Sequence, residues 1–374
     1  MSKRKVLTLS TQYANNLGAL LQCYALSRFL NQQKDIECKI IQYWHPNAKS
    51  GWRYFKKNVN VKTLLSNVYM LCRPDLLWLK HKRNEAARAF VKKYLPLEDG
   101  AYMTDQSIHN NPPQADAYVV GSDQIWNVKR KGIGKVYFLS FVPEGKRRIA
   151  YAPSLGVEWT EAECRRLKPY LQQFDALSVR EEGHVAQVAQ TAGKPVAHVC
   201  DPVFLLSQKD WLKVAHKPAI AEPYIFCYFF GVSDLALRTV KRLKELTGYK
   251  VVYLNFNATD KLQSDVEMRA GDPLDFLGLI ANATLVCTSS FHCSALSVLF
   301  RKDFFYVPQV ASERVLSLMR KYKIDNILMT EERLQTLTKE DLNIDYTQGE
   351  AAGDEYIESS KYYLINAIYG KENA

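Results

Sequence analysis

Along the 374 residues, short apolar runs alternate with polar or glycine-bearing turns and then with stretches of helical periodicity. KVLTL runs into STQYANNLGA and then LLQCYALSRFL; ADAYVV runs into GSDQIWN, RRIAYA into PSLG, ALSV into REEG, and VAHVC into DP. Further on, YIFCYFF precedes GVSD, KVVYL precedes NFN, TLVC precedes SSFH, and DFFYV precedes PQ. Continuous apolar runs of this length suit strands buried on both faces. Alternating with helices, they predict parallel α/β sheets. Ligands of such sheets bind beyond the carboxyl ends of the strands, so function is to be sought in the turns.

The pattern breaks at DPVFLLSQKDWLKVAHKPAIAEPYIF, where Pro218, Glu222 and Pro223 precede a new strand from Tyr224. A linker is predicted at about residues 207–222, with an N-terminal domain over 1–208 and a second α/β domain over 218–345. A chain of this length exceeds one ordinary core, which also predicts two domains. The final stretch, DEYIESSKYYLINAIYG, predicts a helix within 352–374 that packs back on the first domain.

Composition narrows the class. With 47% hydrophobic and 24% charged residues the chain is globular, and no apolar run reaches membrane-spanning length. The start, MSKRKVLTLSTQY, is basic, but VLTL is too short for a signal-peptide core. The eight cysteines show no CxxC pairing, and Cys200, Cys227 and Cys287 lie in apolar runs. They read as reduced core residues of a cytoplasmic protein, which argues against a metal site. The net charge of +11 points to an anionic partner. The excess is local: Lys49, Arg53, Lys56, Lys57, Lys62, Arg73, Lys80, Lys82, Arg83, Arg88, Lys92 and Lys93 face only Asp75 and Glu85. This segment, an insertion at about 45–95 in the first domain, also carries Trp52, Tyr54, Phe55, Tyr69 and Trp78. Basic residues interleaved with aromatics suit an anionic membrane surface; the alternative is a solvated helical insertion.

The strand-end turns carry the candidate chemistry. In NNLGALLQ, Asn15, Asn16 and Gly18 follow the first strand, and Gly18 lets backbone approach a ligand. In GSDQIWN, Gly121 precedes Ser122, Asp123, Gln124, Trp126 and Asn127. There Trp126 offers a flat face to a sugar ring, the polar side chains can bond its hydroxyls, and Asp123 can act as a base. The alternative is an Asx-type turn with a buried tryptophan. LSVREEG sets Arg180 at a strand end before Glu181 and Glu182, where a guanidinium can grip carboxylate or phosphate unless the acids neutralise it. Asp201 reads as a turn initiator. In TLVCTSSFHCSAL, Ser289 and Ser290 are N-cap types, and His292 falls in the first helical turn, near N–H groups that attract anions. A histidine there is a proton donor, or else caps and packs.

Taken in order, NNLGALLQCYAL, GSDQIWN, YAPSLG, LSVREEG, DPVFLL, DFLGLIANATLVCTSSFHCSAL and SERVLSLM resemble the polysaccharide pyruvyltransferase family over roughly Asn15 to Met319. The resemblance implies two Rossmann-like domains in a glycosyltransferase-B-like arrangement. It also implies metal-free, cofactor-free transfer of pyruvate from phosphoenolpyruvate to a glycan as a ketal. Arg180 matches the arginine of the family's phosphoenolpyruvate site, and His292 its proposed general acid. Ser289, Ser290 and Phe291 complete the donor stretch. Family members often carry Arg-Leu-His where this chain has Ser290-Phe291-His292, and Arg314, in SERVLSLM, stands as the replacement charge.

The implied chemistry agrees with the residue types. Phosphoenolpyruvate carries a phosphate and a carboxylate, which call for arginine and helix N-termini. His292 would protonate its methylene carbon, and a sugar hydroxyl oriented by Asp123 would attack C2. The acceptor would be a sugar of a bacterial surface glycan such as capsule, either free or lipid-linked at the inner membrane face. A glycosyltransferase using a nucleotide sugar on the same two-domain plan is the alternative, and a non-enzymatic anion or nucleic-acid binder a third. The polar residues gather at strand ends rather than along a basic stripe, which argues against nucleic acid.

Overall fold

The computed structural model describes residues 3–13, 15–44, 54–55, 60–130, 132–257, 260–309 and 312–370. The chain forms two compact units. One comprises Met1–Trp52, Val91–Leu206 and Ala352–Ala374; the other comprises Arg53–Phe90 and Ser207–Ala351.

The first unit holds strands β1 (Arg4–Leu9), β2 (Ile36–Tyr43), β3 (Leu97–Tyr102), β4 (Ala117–Val120) and β5 (Arg147–Ala150). They form a parallel sheet in the order β3-β2-β1-β4-β5. A short parallel pair follows, β6 (Ser178–Val179) with β7 (Ala197–His198). In the central register Val6 lies beside Cys38 on one side and Ala117 on the other. All four residues of β4 are buried, as continuous apolar runs require. Helix α1 (Leu17–Gln32) follows β1 and is buried over most of its length. The C-terminal helix, Glu350–Tyr369, is tied to this unit: Arg147 Nε donates to the Ala367 carbonyl (2.7 Å), and the Tyr363 hydroxyl donates to that of Ala150 (3.1 Å).

The second unit repeats the plan. Strands β8 (Tyr224–Tyr228), β9 (Lys250–Leu254), β10 (Val266–Met268), β11 (Leu285–Thr288) and β12 (Asp303–Tyr306) form a parallel sheet in the order β10-β9-β8-β11-β12. Each sheet therefore runs third-second-first-fourth-fifth. The order reverses between the first and fourth strands, β1 and β4 in one sheet, β8 and β11 in the other. Such switch points open a crevice at the carboxyl ends of the strands.

Three strands escape the apolar-run pattern. β3 reads LEDGAY, β10 has three residues, and β2, IECKIIQY, interleaves charged and polar residues with its apolar ones. The basic insertion also differs from expectation. It forms α2 (Val61–Leu71) and α3 (Pro74–Tyr94), and Arg53–Phe90 belongs to the second unit rather than the first. The anchor is Arg83. Its guanidinium donates to the carbonyls of Asn255 (2.9 Å), Phe256 (2.7 Å) and Arg269 (2.8 Å) and lies 4.5 Å from the centre of the Phe256 ring. Burial, reinforced by Arg269, lowers its pKa to about 10. Arg83 is thus an internal clamp and unavailable to a membrane. Lys49, Trp52, Arg53, Lys56 and Lys57 lie outside the described residues.

Candidate active site

In the first unit, four sequence stretches meet at the ends of β1, β4, β5 and β6. Gly121, at φ +149, follows β4, and a Cβ there would sit 1.8 Å from the Tyr151 carbonyl oxygen, so only glycine fits. Asp123 then adopts φ 68, and its carbonyl accepts from the amides of Ile125 (2.7 Å) and Ser154 (2.9 Å). The Arg180 amide donates to the Pro153 carbonyl (3.3 Å). GSDQIWN, YAPSLG and LSVREEG are therefore laced together by backbone bonds. Across the switch point, the Thr11 hydroxyl after β1 reaches the Asp123 carboxylate at 3.5 Å.

The charged group assembled there is almost wholly buried: Arg180 is 3% exposed, Glu181 0%, Asp201 2%, His184 5% and Asp123 7%. Arg180 Nη1 bonds Asp201 Oδ2 at 2.5 Å, its Nε bonds Glu181 Oε1 at 3.4 Å, and its Nη2 lies 3.9 Å from Asp123 Oδ1. His184 Nδ1 is 3.4 Å from the other Glu181 oxygen. Burial opposes the charge on Arg180, but Asp201, Glu181 and Asp123 together outweigh it and raise its pKa. Burial likewise opposes ionisation of Glu181, yet His184 and Arg180 hold its pKa below 4.5. The expected open grip of Arg180 on a donor anion is therefore corrected. Three carboxylates already surround the guanidinium, and its charge is set against theirs inside the protein.

Trp126 is a second correction. It is 0% exposed, its ring stacks on Phe138 at 5.3 Å, and its Nε1 donates to the Tyr137 carbonyl (3.0 Å). It offers no face to a sugar; the buried-tryptophan reading holds. Ser122 is likewise committed, its hydroxyl donating to the Ala152 carbonyl (2.5 Å) and its amide to Gln22 Oε1 (3.1 Å). Asn127 Nδ2 donates to Gln124 Oε1 (3.0 Å). Asn16 caps α1 by accepting from the Ala19 amide (3.1 Å), Gly18 is buried in the first turn, and Asn15 is half-buried beside them. Sequence reasoning passed over Glu181, His184 and Thr11 as site residues and gave Asp201 a turn role. Asp201 does cap its turn, accepting from the Val203 amide (3.1 Å), while its other oxygen takes Arg180. The available signal was its place at yet another strand end.

In the second unit the same switch point is built from different chemistry. β11 ends at Thr288, and Ser289 Oγ accepts from the Phe230 amide (3.0 Å), stitching the ends of β8 and β11 together. Ser290 is the N-cap of the helix Phe291–Leu299, accepting from the Cys293 amide (3.4 Å). His292 is the second residue of that helix and 5% exposed, its ring 5.3 Å from that of Phe291. The Arg314 guanidinium lies 5.9 Å from the Phe291 ring centre. It stands in the first turn of the helix Glu313–Tyr322, where the helix dipole disfavours a cation. Ser290, Phe291, His292 and Arg314 are thus gathered at one helix N-terminus, a setting suited to an anion.

Among the described residues, one group has the spacing for a metal ion, His216 with Asp272 and Asp275. Capping accounts for it: Asp272 and Asp275 form the capping box of the helix Pro273–Asn282, and His216 Nδ1 rests 2.9 Å from Asp275.

Comparisons follow the same lines. No curated protein matches the sequence. Among solved structures, the UDP co-structure of MnaA from S. aureus superposes with a TM-score of 0.53 at 12% identity, over 99% of each chain. A UDP-GlcNAc 2-epimerase from Neisseria meningitidis, bound to UDP-GlcNAc, superposes with 0.51 at 11% identity, over 98% of this chain and 100% of that one. At such identities the likeness shows the fold, which is glycosyltransferase-B-like, with mixed α/β layers and parallel sheets. The sequence profile of the polysaccharide pyruvyl transferase family matches residues 16–309, a span that contains Asp123, Arg180, Asp201 and His292, and the chain is a transferase belonging to that family.

Proposed function

We propose that the protein moves pyruvate from phosphoenolpyruvate to a sugar of a bacterial surface glycan precursor, closing a cyclic ketal across two hydroxyls. The observation that carries this reading is the family match together with the contrast between the two switch points. One gathers N–H groups, a histidine and an arginine, as a small dianion requires; the other gathers carboxylates, as sugar hydroxyls do.

In this reading the phosphate and carboxylate of the donor are taken by the N-terminus of the helix Phe291–Leu299 and by Arg314, which supplies the charge absent at Ser290. His292 gives its proton to the methylene carbon, leaving positive charge at C2. The oxygen of one sugar hydroxyl bonds to C2 and loses its proton. The second hydroxyl then displaces phosphate from the same carbon and closes the ring, its proton leaving with the phosphate or the base. Asp123 orients the attacking hydroxyl and receives its proton. Arg180, 3.9 Å from Asp123, sets a positive charge beside that carboxyl group and does not itself bind the donor. The acceptor precursor is carried on a lipid, and the enzyme needs no metal or organic cofactor.

Two measurements test the reading. Phosphoenolpyruvate should raise the melting temperature in a concentration-dependent way, while UDP-sugars and oligonucleotides should not. Phosphate release should require both phosphoenolpyruvate and a glycan acceptor, and the product should gain an acid-labile pyruvate ketal. Stabilisation by a nucleotide sugar with none by phosphoenolpyruvate would instead make the chain a glycosyltransferase.

A further inference from the structure

Helix α2 is amphipathic the wrong way round for a helix that packs on its own protein. Among its described side chains, Val61, Leu64, Leu65, Val68, Tyr69 and Leu71 are exposed, with Val61 71%, Leu65 62% and Leu71 62% exposed. At 100° per residue they sweep one unbroken apolar arc. The half-buried side chains are Thr63, Ser66, Asn67 and Met70, three of the four polar. A soluble helix normally buries its apolar stripe, and a contiguous exposed apolar face marks an interaction surface. Trp78, at the start of α3, adds a further ring that is 57% exposed.

The charge around this face selects its occupant. Residues 61–94 contain eight Lys and Arg against two acids, Asp75 and Glu85, and seven remain once the inward Arg83 is set aside. On α3, Lys82 and Lys92 share the exposed face of Trp78, and the Lys82 ammonium lies 5.3 Å from the centre of its ring. An outward apolar arc, an exposed Tyr69 with the Arg73 guanidinium 6.0 Å from its ring centre, and an exposed Trp78 beside Lys82 combine the two signals of an interfacial helix. One is apolar area that enters the acyl boundary; the other is charge drawn to anionic headgroups. Among the described residues no helix is long and apolar enough to span a bilayer. The mode of contact is therefore monotopic.

We infer that α2 lies in the surface of an anionic lipid bilayer, with Val61, Leu64, Leu65, Val68 and Leu71 in the acyl boundary and the α3 lysines at the headgroups. The purpose of this contact rests on the lipid-linked acceptor proposed above, but its test does not use activity. The second copy of the chain is the competing occupant.

The full-length protein is floated with vesicles of phosphatidylcholine alone and of phosphatidylcholine mixed with phosphatidylglycerol. Binding is expected on the mixed vesicles and should weaken as salt rises. The variant with Leu65→Gln and Val68→Gln, both exposed and so harmless to folding, should bind about tenfold or more weakly at every salt concentration. The variant with Lys82→Gln and Lys92→Gln should lose about tenfold or more at low salt and much less at high salt. No binding to the mixed vesicles overturns the inference, as does unchanged binding of the Leu65/Val68 variant. A wild-type dimer in sedimentation that this variant turns into a monomer, without vesicle binding, assigns the face to a second copy instead. Phosphoenolpyruvate stabilisation is measured on the same samples, so loss of membrane binding is distinguished from failure of the pyruvyl-transfer reading.

Discussion

The two units share a strand order, yet their switch points carry opposite chemistry. At the end of β4 and β6, one arginine is enclosed by three carboxylates, and every member is more than nine-tenths buried. At the end of β11, capping serines, a histidine and an arginine stand at a helix N-terminus. A parallel sheet of this order supplies a crevice at a fixed place but not its polarity. Polarity comes from the few residues following each strand. In the proposed reading the same fold therefore serves hydroxyls in one half and an anion in the other.

That contrast can be broken residue by residue. The largest effect is expected at His292. His292→Asn should lower turnover by ~10²–10⁴-fold, the usual loss of a general acid, with a nearly unchanged melting temperature. Near-normal pyruvyl transfer by that variant would reduce His292 to packing.

Arg180 comes next, and its effect should be on stability first. Arg180→Met leaves Asp123, Glu181 and Asp201 buried without their cation. Breaking a buried ion pair from one side costs about 3–5 kcal/mol. Urea unfolding measures it. A variant as stable as wild type but weak in donor binding would return Arg180 to the anion grip expected from sequence.

Arg314→Gln should act on the donor alone. It should raise KM for phosphoenolpyruvate by about tenfold, the scale of one charge-assisted contact, and leave acceptor KM and stability unchanged. An equal effect on both substrates would remove the division of labour between the two units.

The smallest effect concerns acid stability. Glu181 has a pKa held below 4.5 in the folded protein, so its contribution is fully present above that value. It is lost as pH falls further, when the folded carboxylate takes up a proton. The melting temperature should therefore drop more steeply below pH 4.5, and Glu181→Gln, though less stable at neutral pH, should show a shallower acid limb. Identical acid limbs would exclude Glu181 from the charged cluster.

Much of this was legible in one dimension. YIFCY and AYVV are apolar throughout because both faces of a central parallel strand are covered, and a continuous run needs no partner to be recognised. Ser290 is an N-cap by residue type and position, and the structure uses it in that role. β3 was not legible, since LEDGAY pairs through its backbone and depends on β2 for its register. Trp126 was misread because a tryptophan between polar residues looks the same whether its ring turns outward to a ligand or inward onto Phe138.

What the sequence by itself determined was periodicity, capping and the concentration of polar residues at strand ends, all of which depend on neighbours within a turn or two of the chain. Which groups meet was decided by the tertiary structure. Asp123, Arg180 and Asp201 are brought together from three separate strand ends, and Arg83 reaches the carbonyl of Arg269 across 186 positions. Ion pairing, burial and the direction a side chain faces depend on distances through space, and a linear pattern carries none of these. The outward apolar face of α2 shows the same limit. Its spacing is that of any amphipathic helix, and only the position of the helix on its unit reveals that the apolar side is the one left to the surroundings.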